Sequence, residues 1–206
     1  MVRVKPYSEA CERNRDPILD VLRDDFAQAR SVLEIGSGSG QHAAYFAQHL
    51  SHLTWHTSDA VVYHAGIEAW IAESGLSNVK RPLTLDVRDK PWPLASVDAI
   101  FSANTLHIMD GDCVEAFFRG VARLLPVGGV LAIYGPFNYG GRFTSASNAR
   151  FDADLRARGV GSAIREFEAV NVLARHIGLA LVRDVAMPAN NRTLVWRRES
   201  VPAETA

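Results

Sequence analysis

The sequence has few cysteines, no excess of either charge and no long apolar run. Its two cysteines, Cys11 and Cys113, form no CxxC pair, which argues against a disulfide framework or a thiolate zinc site, and we predict no metal site. Lysine and arginine total 22 against 23 aspartates and glutamates, which gives a net charge of -1. No overall basic field is therefore available to attract nucleic acid, and we expect no nucleic-acid partner.

Membrane and export signals are also missing from the pattern. No stretch approaches the roughly 18 apolar residues of a membrane span, and the N-terminus has no apolar run of signal-peptide length. We therefore expect a cytoplasmic protein with no membrane partner. The 206 residues, of which 48% are hydrophobic, suffice for one domain whose core needs no covalent or metal support.

Helical and strand patterns alternate along the chain. Residues 15–29 predict a helix with Asp16 as its N-cap and Pro17 in its first turn. The strand patterns that follow are "SVLEI", "LTWHTSD", "RPLTLDV", "VDAIFSA" and "GGVLAIYG". Two last segments, "LALVRDVAMP" and "RTLVWRR", are too close for a crossover helix and predict an antiparallel hairpin.

This alternation predicts an α/β fold. We expect a Rossmann-like, seven-stranded, mostly parallel sheet with helices on both faces and an antiparallel C-terminal hairpin. Ligands of such sheets bind beside the carboxyl ends of the strands, near the switch point of the strand order. Four loops, those after "VLEI", "LTWHTSD", "PLTLDV" and "VDAIFSAN", should open on that edge.

The stretch "VLEIGSGSG" places three glycines at alternate positions after the first strand. Glycine in such a turn admits positive φ and lets a ligand approach the backbone. A dinucleotide fingerprint fits only out of register, as Gly38, Gly40 and Ala43, and no P-loop lysine follows. Glu34, two residues before Gly36, is costly to bury unless it meets a donor or a cation, and an anionic pyrophosphate has no obvious use for it.

These residues resemble the first motif of class I S-adenosylmethionine-dependent methyltransferases. The resemblance implies that Glu34 serves the ammonium end of S-adenosylmethionine, directly or through water, and that the glycine turn runs under its methionine portion. It also implies that Asp59 accepts the ribose hydroxyls, with a helix N-cap as the alternative role, and that Asp86 and Val87 meet the adenine. The predicted cofactor-binding residues are Arg13, Asn14, Glu34, Gly36, Ser37, Gly38, Gly40, Asp59, Asp86, Val87 and Asn104.

A narrower resemblance covers almost the whole chain. "ERNRDPIL", "SGSGQHAAYFA", "YGPF", "SNARFDADLRAR" and "MPANN" resemble a small methyltransferase-like family of bacteria and animals that is labelled a domain of unknown function. This resemblance implies the fold and the cofactor and no particular substrate. We expect one domain over 1–206, with an N-terminal lid and helix over 1–30, a cofactor-binding half over 31–135, substrate-side helices and the hairpin over 136–199, and a frayed tail over 200–206.

The substrate side is predicted from the remaining loops. Methyl transfer needs a general base only if the acceptor is protonated, and His107, three residues after Asn104, is placed to be one; a structural histidine is the alternative. For Glu166 the alternative role is to complement a helix dipole. For Asn190 and Asn191 the alternative is a structural role in a hairpin turn. The predicted catalytic residues are His107, Tyr134 and Asn191, and the predicted substrate residues are Tyr139, Asn148, Glu166 and Asn190.

The sequence thus predicts an S-adenosylmethionine-dependent methyltransferase that acts on an unidentified small molecule, as a monomer or homodimer. An NAD-dependent oxidoreductase is the second enzyme hypothesis, because of the out-of-register fingerprint and Asp59. A third is a non-catalytic, cofactor-binding scaffold of the same fold. Methylation of protein or RNA stays open, although the loop "ANTLHI" has no Asn-Pro-Pro-Tyr-like motif for planar amines.

Overall fold

The computed structural model describes residues 5–200 of the chain. In chain order its elements are α1 (Glu9–Asp25), β1 (Ser31–Ile35), α2 (Gln41–His49), β2 (Thr54–Asp59), α3 (Val61–Ser74), β3 (Val79–Thr84), β4 (Ala99–Ala103), α4 (Gly111–Leu124), β5 (Val130–Gly135), β6 (Phe137–Asn138), α5 (Ala146–Ala157), β7 (Arg165–Glu166), α6 (Phe167–His176), β8 (Leu179–Met187) and β9 (Asn191–Arg198), with a 3-10 turn, Pro188–Asn190, before the last strand. The predicted tail beyond residue 200 and the first four residues of the predicted lid lie outside the described residues.

Seven of these strands form one sheet in the order β3-β2-β1-β4-β5-β9-β8. Strands β1 to β5 pair in parallel, and β9 runs antiparallel to both of its neighbours. This topology confirms the predicted fold class, including the terminal hairpin. The strand order reverses between β1 and β4, so the ligand crevice of such a fold lies at the carboxyl ends of these two strands.

Successive side chains of a strand point to opposite faces of the sheet. The central strands have apolar side chains on both faces, so helices cover both. Val32 and Phe101 are buried in a core with the apolar sides of α1 and α2. Leu33 and Ile100 are buried in a second core with α4 and α6. The central strands therefore lie between two cores and hold the loops at their carboxyl ends in a fixed arrangement.

Helix α1 begins at Glu9, eight residues before Pro17, so the predicted N-cap at Asp16 is wrong. The true cap is Ser8, whose hydroxyl accepts the backbone N–H of Cys11 at 3.4 Å. Pro17 lies inside the helix. A proline suits the first turn of a helix and is tolerated inside one at the loss of one backbone hydrogen bond, so the residue does not by itself mark the start.

Two further boundaries differ from the prediction. Strand β3 ends at Thr84 rather than at residue 87, so Asp86 follows the strand instead of ending it. Arg165 and Glu166 do not form the first helical turn of α6. They form β7, which pairs in parallel with β6 in a separate two-stranded sheet, and α6 begins at Phe167.

None of the helices within residues 5–200 is long and apolar enough to cross a bilayer.

Candidate functional site

A cavity of about 780 Å³ opens at the carboxyl ends of β1 and β4. Its volume is within the range of about 300–1,000 Å³ that is usual for small-molecule sites. Its walls come from the first turns of α1, the glycine turn, the end of β2, the loop after β4, the start of α5 and the tip of the β8–β9 hairpin. The lining residues are Ser8, Ala10, Cys11, Arg13, Gly36, Ser37, Gly38, Ser39, His42, Asp59, Tyr63, Ala103, Asn104, Thr105, His107, Ile108, Pro136, Ser147, Asn148, Phe151, Ala189 and Asn191.

The glycine turn has positive φ at all three glycines: 78° at Gly36, 56° at Gly38 and 90° at Gly40. A Cβ atom on Gly36 would lie 2.7 Å from Thr105 Oγ1, and one on Gly40 would lie 2.8 Å from Ile67 Cα. A Cβ atom on Gly38 would meet nothing within 4 Å. Packing therefore requires the outer two glycines, whereas Gly38 leaves bare backbone facing the cavity.

Glu34 lies beneath this turn and is 1% exposed. Its Oε2 accepts hydrogen bonds from Ser37 Oγ at 2.9 Å and Trp55 Nε1 at 3.1 Å. Burial raises the pKa of Glu34 to about 7, although the two donors act in the opposite direction. The donors that a buried acid needs are thus supplied by the protein. Glu34 is not among the described residues that line the cavity.

Asp59 lies at the end of β2 and does line the cavity. Its Oδ2 accepts the backbone N–H of Gly38 at 2.8 Å, and its Oδ1 accepts that of Ala60 at 2.7 Å. Burial raises the pKa of this carboxyl, while the two backbone donors lower it. The N-cap of α3 is Ala60, which makes no side-chain capping bond, so Asp59 is not the cap residue.

The structure does not bring Asp86 or Val87 to the cavity. Arg88 donates from Nε to Asp86 Oδ1 at 2.9 Å and pairs with the same carboxylate through its guanidinium. These hydrogen bonds lower the pKa of Asp86 to about 2. Val87 is buried, and its carbonyl accepts from Trp92 Nε1 at 3.3 Å. Both residues are therefore occupied within the loop after β3.

Asn104 follows β4 and faces the cavity. Its φ of 57° is the left-handed conformation that asparagine tolerates better than most residues. Its backbone N–H donates to the carbonyl of Tyr134 at 2.8 Å, which ties this loop to the end of β5. Ser37, Gly36 and Asn104 thus lie together on one wall.

The predicted N-terminal residues lie on α1 rather than on a segment that precedes it. Arg13 lines the cavity, and its guanidinium pairs with Glu9 at 3.3 Å. Asn14 is buried, with its Oδ1 2.7 Å from His42 Nε2, and it does not line the described cavity. Burial lowers the pKa of His42 to about 4, so this ring is neutral at neutral pH.

His107 lines the cavity, with its ring centroid 5.3 Å from that of Phe151. Burial, together with the charges of Arg165 and Arg158, lowers the pKa of His107 to about 4. The ring makes no hydrogen bond to any residue between 5 and 200. A base this weak removes a proton poorly at neutral pH, so the neutral ring is better suited to orient a ligand by a hydrogen bond.

Tyr134 and Asn191 are brought together where β5 and β9 pair. The Tyr134 hydroxyl accepts from Asn191 Nδ2 at 3.0 Å. Burial raises the pKa of Tyr134, so the phenol is protonated at neutral pH. Asn191 lines the cavity, whereas Tyr134 lies behind it.

Two predicted substrate residues lie elsewhere. The Tyr139 hydroxyl donates to Asp184 Oδ2 at 3.0 Å, and its ring stacks on Phe167 at a centroid distance of 5.2 Å. Glu166 accepts the backbone N–H of Gly141 at 3.1 Å. Neither lines the described cavity. Their contacts fix the segment between β6 and α6.

The other two predicted substrate residues are joined to each other. Asn148 is buried, lines the cavity and donates from Nδ2 to the Asn190 carbonyl at 3.1 Å. Asn190 takes part through this backbone carbonyl, and its side chain is not among the described lining residues. The start of α5 is thus tied to the hairpin tip.

Sequence reasoning missed several lining residues, namely His42, Thr105, Ile108, Pro136, Phe151 and Ala189. Some of them could have been predicted from their positions in the sequence. His42 follows the glycine turn by two residues, Thr105 is next to Asn104, and Phe151 lies three residues after Asn148, on the same side of a helix.

The sheet order, the antiparallel β9 and the glycine turn after β1 define the fold of class I methyltransferases. An O-methyltransferase family protein from Burkholderia thailandensis has a TM-score of 0.80 at 21% identity, covering 90% of this chain and 56% of that one. Human N-acetylserotonin methyltransferase, solved in complex with SAM, has a TM-score of 0.80 at 12% identity, covering 93% and 53%. PigF, solved with SAH, has a TM-score of 0.74 at 17% identity, covering 88% and 61%.

The chain therefore spans little more than half the length of these solved proteins. Within this fold class, the family described as "Protein of unknown function (DUF938)" matches residues 5–198. The chain belongs to this family, which confirms the narrower resemblance found in the sequence.

Proposed function

We propose that the protein is an S-adenosylmethionine-dependent methyltransferase that acts on a small molecule. The observation that carries the proposal is the bare backbone of Gly38 beside the Asp59 carboxylate, in a cavity at the switch point of a methyltransferase fold. The solved neighbours with SAM or SAH support the same cofactor.

The residues of the cavity fit this cofactor. Asp59 offers carboxylate oxygens that can accept from vicinal hydroxyls, and Gly38 permits close approach of a ligand. Of the described lining residues, Arg13 is the only lysine or arginine, and it pairs with Glu9. A cavity with this charge suits a ligand that carries a positive charge better than a pyrophosphate. When bound, S-adenosylmethionine supplies a methyl group on a sulfonium for in-line displacement.

The chain's own contribution is to position the acceptor and exclude water. Residues of α1, α5 and the hairpin line the cavity together with the glycine turn. Walls of this kind can hold two reactants in line, and excluding water strengthens the electrostatic interactions between them. The neutral ring of His107 is available to hydrogen bond an acceptor at this end of the cavity.

The oxidoreductase hypothesis is weakened at the start of α2, where a pyrophosphate would bind. Gly40 N–H donates to the Ser37 carbonyl at 2.8 Å, and Gln41 N–H donates to Ser39 Oγ at 3.3 Å. The Gln41 side chain in turn accepts the backbone N–H of Ser8. This end of the helix is therefore occupied by groups of the protein.

Calorimetry with S-adenosylmethionine, S-adenosylhomocysteine and NADH tests the cofactor. We expect the first two to bind and NADH not to bind. Absence of binding by S-adenosylmethionine, or tighter binding of NADH, contradicts the proposal.

The matched variants are Gly38→Ala and Gly75→Ala. Both glycines have left-handed φ, 56° and 64°, and a Cβ on either would meet nothing within 4 Å, so each substitution costs a similar 1–2 kcal/mol or so of stability. Gly38 lines the cavity, whereas Gly75 is not among its described lining residues. We expect at least about tenfold weaker S-adenosylmethionine binding for Gly38→Ala, about 1.4 kcal/mol, and none of this loss for Gly75→Ala.

A further inference from the structure

The amide of Asn148 has a fixed orientation and one unused oxygen. Its Nδ2 donates to Thr144 Oγ1 at 2.9 Å and to the Asn190 carbonyl at 3.1 Å. A carbonyl can only accept, so the NH₂ group must face Asn190 and the Oδ1 atom must point the other way. Asn148 is 6% exposed and lines the cavity, and its Oδ1 accepts no hydrogen bond from the described residues.

Asn191 also lines the cavity, and its side-chain amide is arranged in the same way. Its Nδ2 donates to the Pro188 carbonyl at 3.3 Å and to the Tyr134 hydroxyl at 3.0 Å, which again fixes the amide. Its Oδ1 likewise accepts nothing from residues 5–200. Asn148 is bonded to the residue before Asn191, so the two amide oxygens belong to one connected unit.

The turn that carries this unit is held in an unfavourable conformation. Ala189 and Asn190 have φ of 57° and 59°. Asparagine tolerates this left-handed conformation, but at Ala189 it costs about 1 kcal/mol or more. Such strain persists where the surrounding contacts fix it, and it is found at ligand sites. Here it brings Ala189 and Asn191 to the cavity wall and the Asn190 carbonyl to Asn148.

The rest of this end of the cavity is apolar or uncharged. Phe151, Ile108 and Pro136 supply apolar surface beside His107. The guanidinium of nearby Arg165 is used by the carbonyls of the protein, among them that of Leu106 at 3.1 Å. Arg13 is the one lysine or arginine among the described lining residues, and its guanidinium pairs with Glu9 at 3.3 Å, so an anion here would compete with that carboxylate.

We infer that this end of the cavity binds an uncharged or cationic molecule that presents amine or hydroxyl donors beside an apolar body, with Asn148 Oδ1 and Asn191 Oδ1 as its acceptors. An anion of the same shape is disfavoured, because two carbonyl oxygens would face its negative charge. That this molecule is the methyl acceptor rests on the proposed function. The preference for donor-bearing molecules over anions does not rest on it.

A panel of matched benzyl compounds tests the inference. The probes are benzylamine, benzyl alcohol, benzyl methyl ether and benzoate, titrated into the ¹⁵N-labelled full chain while the side-chain amide resonances of Asn148 and Asn191 are followed. An acceptor left without a donor costs about 1–3 kcal/mol, so we expect the amine and the alcohol to bind at least about fivefold more tightly than the ether and benzoate.

Asn148→Ala and Asn191→Ala should each reduce the preference for the donor-bearing probes toward unity. Asn78→Ala is the matched control, because its Nδ2 also bonds two carbonyls, those of Ala47 at 2.9 Å and Leu53 at 3.1 Å, away from the cavity. We expect it to keep the full preference. Should Asn148→Ala fail to fold, Asn191→Ala and the wild-type panel carry the test.

Equal or tighter binding of benzoate, or no shift of either amide resonance with any probe, overturns the inference. A repeat titration with S-adenosylhomocysteine present separates the two proposals. Probe selectivity without any binding of that cofactor product would retain the inference and contradict the proposed function. Cofactor binding without probe selectivity would contradict the inference and retain the proposed function.

Discussion

The carboxyl group of Glu34 has almost no exposed surface and lies under the glycine turn. The donors Ser37 and Trp55 reduce the cost of burying its charge without removing it, because burial still raises its pKa to about 7. The group is therefore partly protonated at neutral pH. A cation that binds above the turn would favour the ionised form, so ligand binding and proton release are linked here.

The first prediction concerns the stability of the protein as a function of pH. The pKa of Glu34 is raised from its ordinary value of 4.5 to about 7 in the folded chain. Between these two pH values Glu34 holds more protons in the folded than in the unfolded chain, so the stability falls as the pH rises. Glu34→Gln removes this titration. In urea unfolding, we expect the stability of wild type relative to the variant to fall by roughly 2–3 kcal/mol from pH 5 to pH 8.

Glu68→Gln is the control for this series, because Glu68 lies on the outside of α3 in an exposed pair with Arg81. Its stability difference from wild type should change little over the same range. A difference between wild type and Glu34→Gln that does not depend on pH would show that Glu34 is ionised throughout.

At the scale of elements, the start of α1 determines which residues reach the cavity. Because the helix begins at Glu9, Cys11 and Arg13 lie on its first turns and form part of the cavity wall. Ser8 joins this wall to α2, since its backbone N–H donates to the Gln41 side chain and its carbonyl accepts from Gln41 Nε2 at 3.3 Å.

Two alanine substitutions distinguish the observed helix start from the one expected from Asp16 and Pro17. Ser8→Ala removes the hydroxyl that accepts the N–H of Cys11, and a lost N-cap costs about 1 kcal/mol. Asp16 lies inside the helix, and its exposed side chain accepts a hydrogen bond from the Tyr45 hydroxyl. Exposed contacts of this kind are worth little, so Asp16→Ala should cost less than about 0.5 kcal/mol. Urea unfolding of both variants makes the comparison, and the reverse order would contradict a cap at Ser8.

The elements themselves could largely be predicted from the sequence, because apolar periodicity and glycine breaks mark the strands of the main sheet. Boundaries were harder where two signals compete. A proline after an aspartate is a common helix start, yet Ser8 caps the helix instead, and nothing local to "RPLTLDV" reveals that β3 ends at Thr84. The pairing of β6 with β7 joins residues far apart in sequence, which periodicity cannot detect.

The site was predictable at the carboxyl ends of β1, β2 and β4, where residues lie at the strand end or just after it. Gly38, Asp59 and Asn104 lie on the cavity for this reason. Tyr139 and Glu166 do not, because their partners Asp184 and Gly141 are brought to them only by tertiary packing. Side-chain partners of this kind are set by the fold rather than by neighbours in the sequence.

For the whole molecule, the distribution of charge bears on the kind of acceptor. Twenty-two basic and 23 acidic residues nearly cancel, and the cavity has a single arginine among its described lining residues. Binding to RNA draws much of its affinity from neutralised phosphates, which this balance does not favour. The proposed small-molecule acceptor fits this balance better, since it need only fit a cavity lined by α1, α5 and the hairpin.

The last prediction follows from this balance. Incubating the protein and S-adenosylmethionine labelled on its methyl group with fractionated cell extract should transfer label to the small-molecule fraction. Gly38→Ala should transfer far less, since it adds a methyl group to a residue that lines the cavity. Gly75→Ala has similar backbone strain away from the described lining residues, and it should transfer as much as wild type at a temperature where both are folded. Label found only in protein or RNA would contradict a small-molecule acceptor.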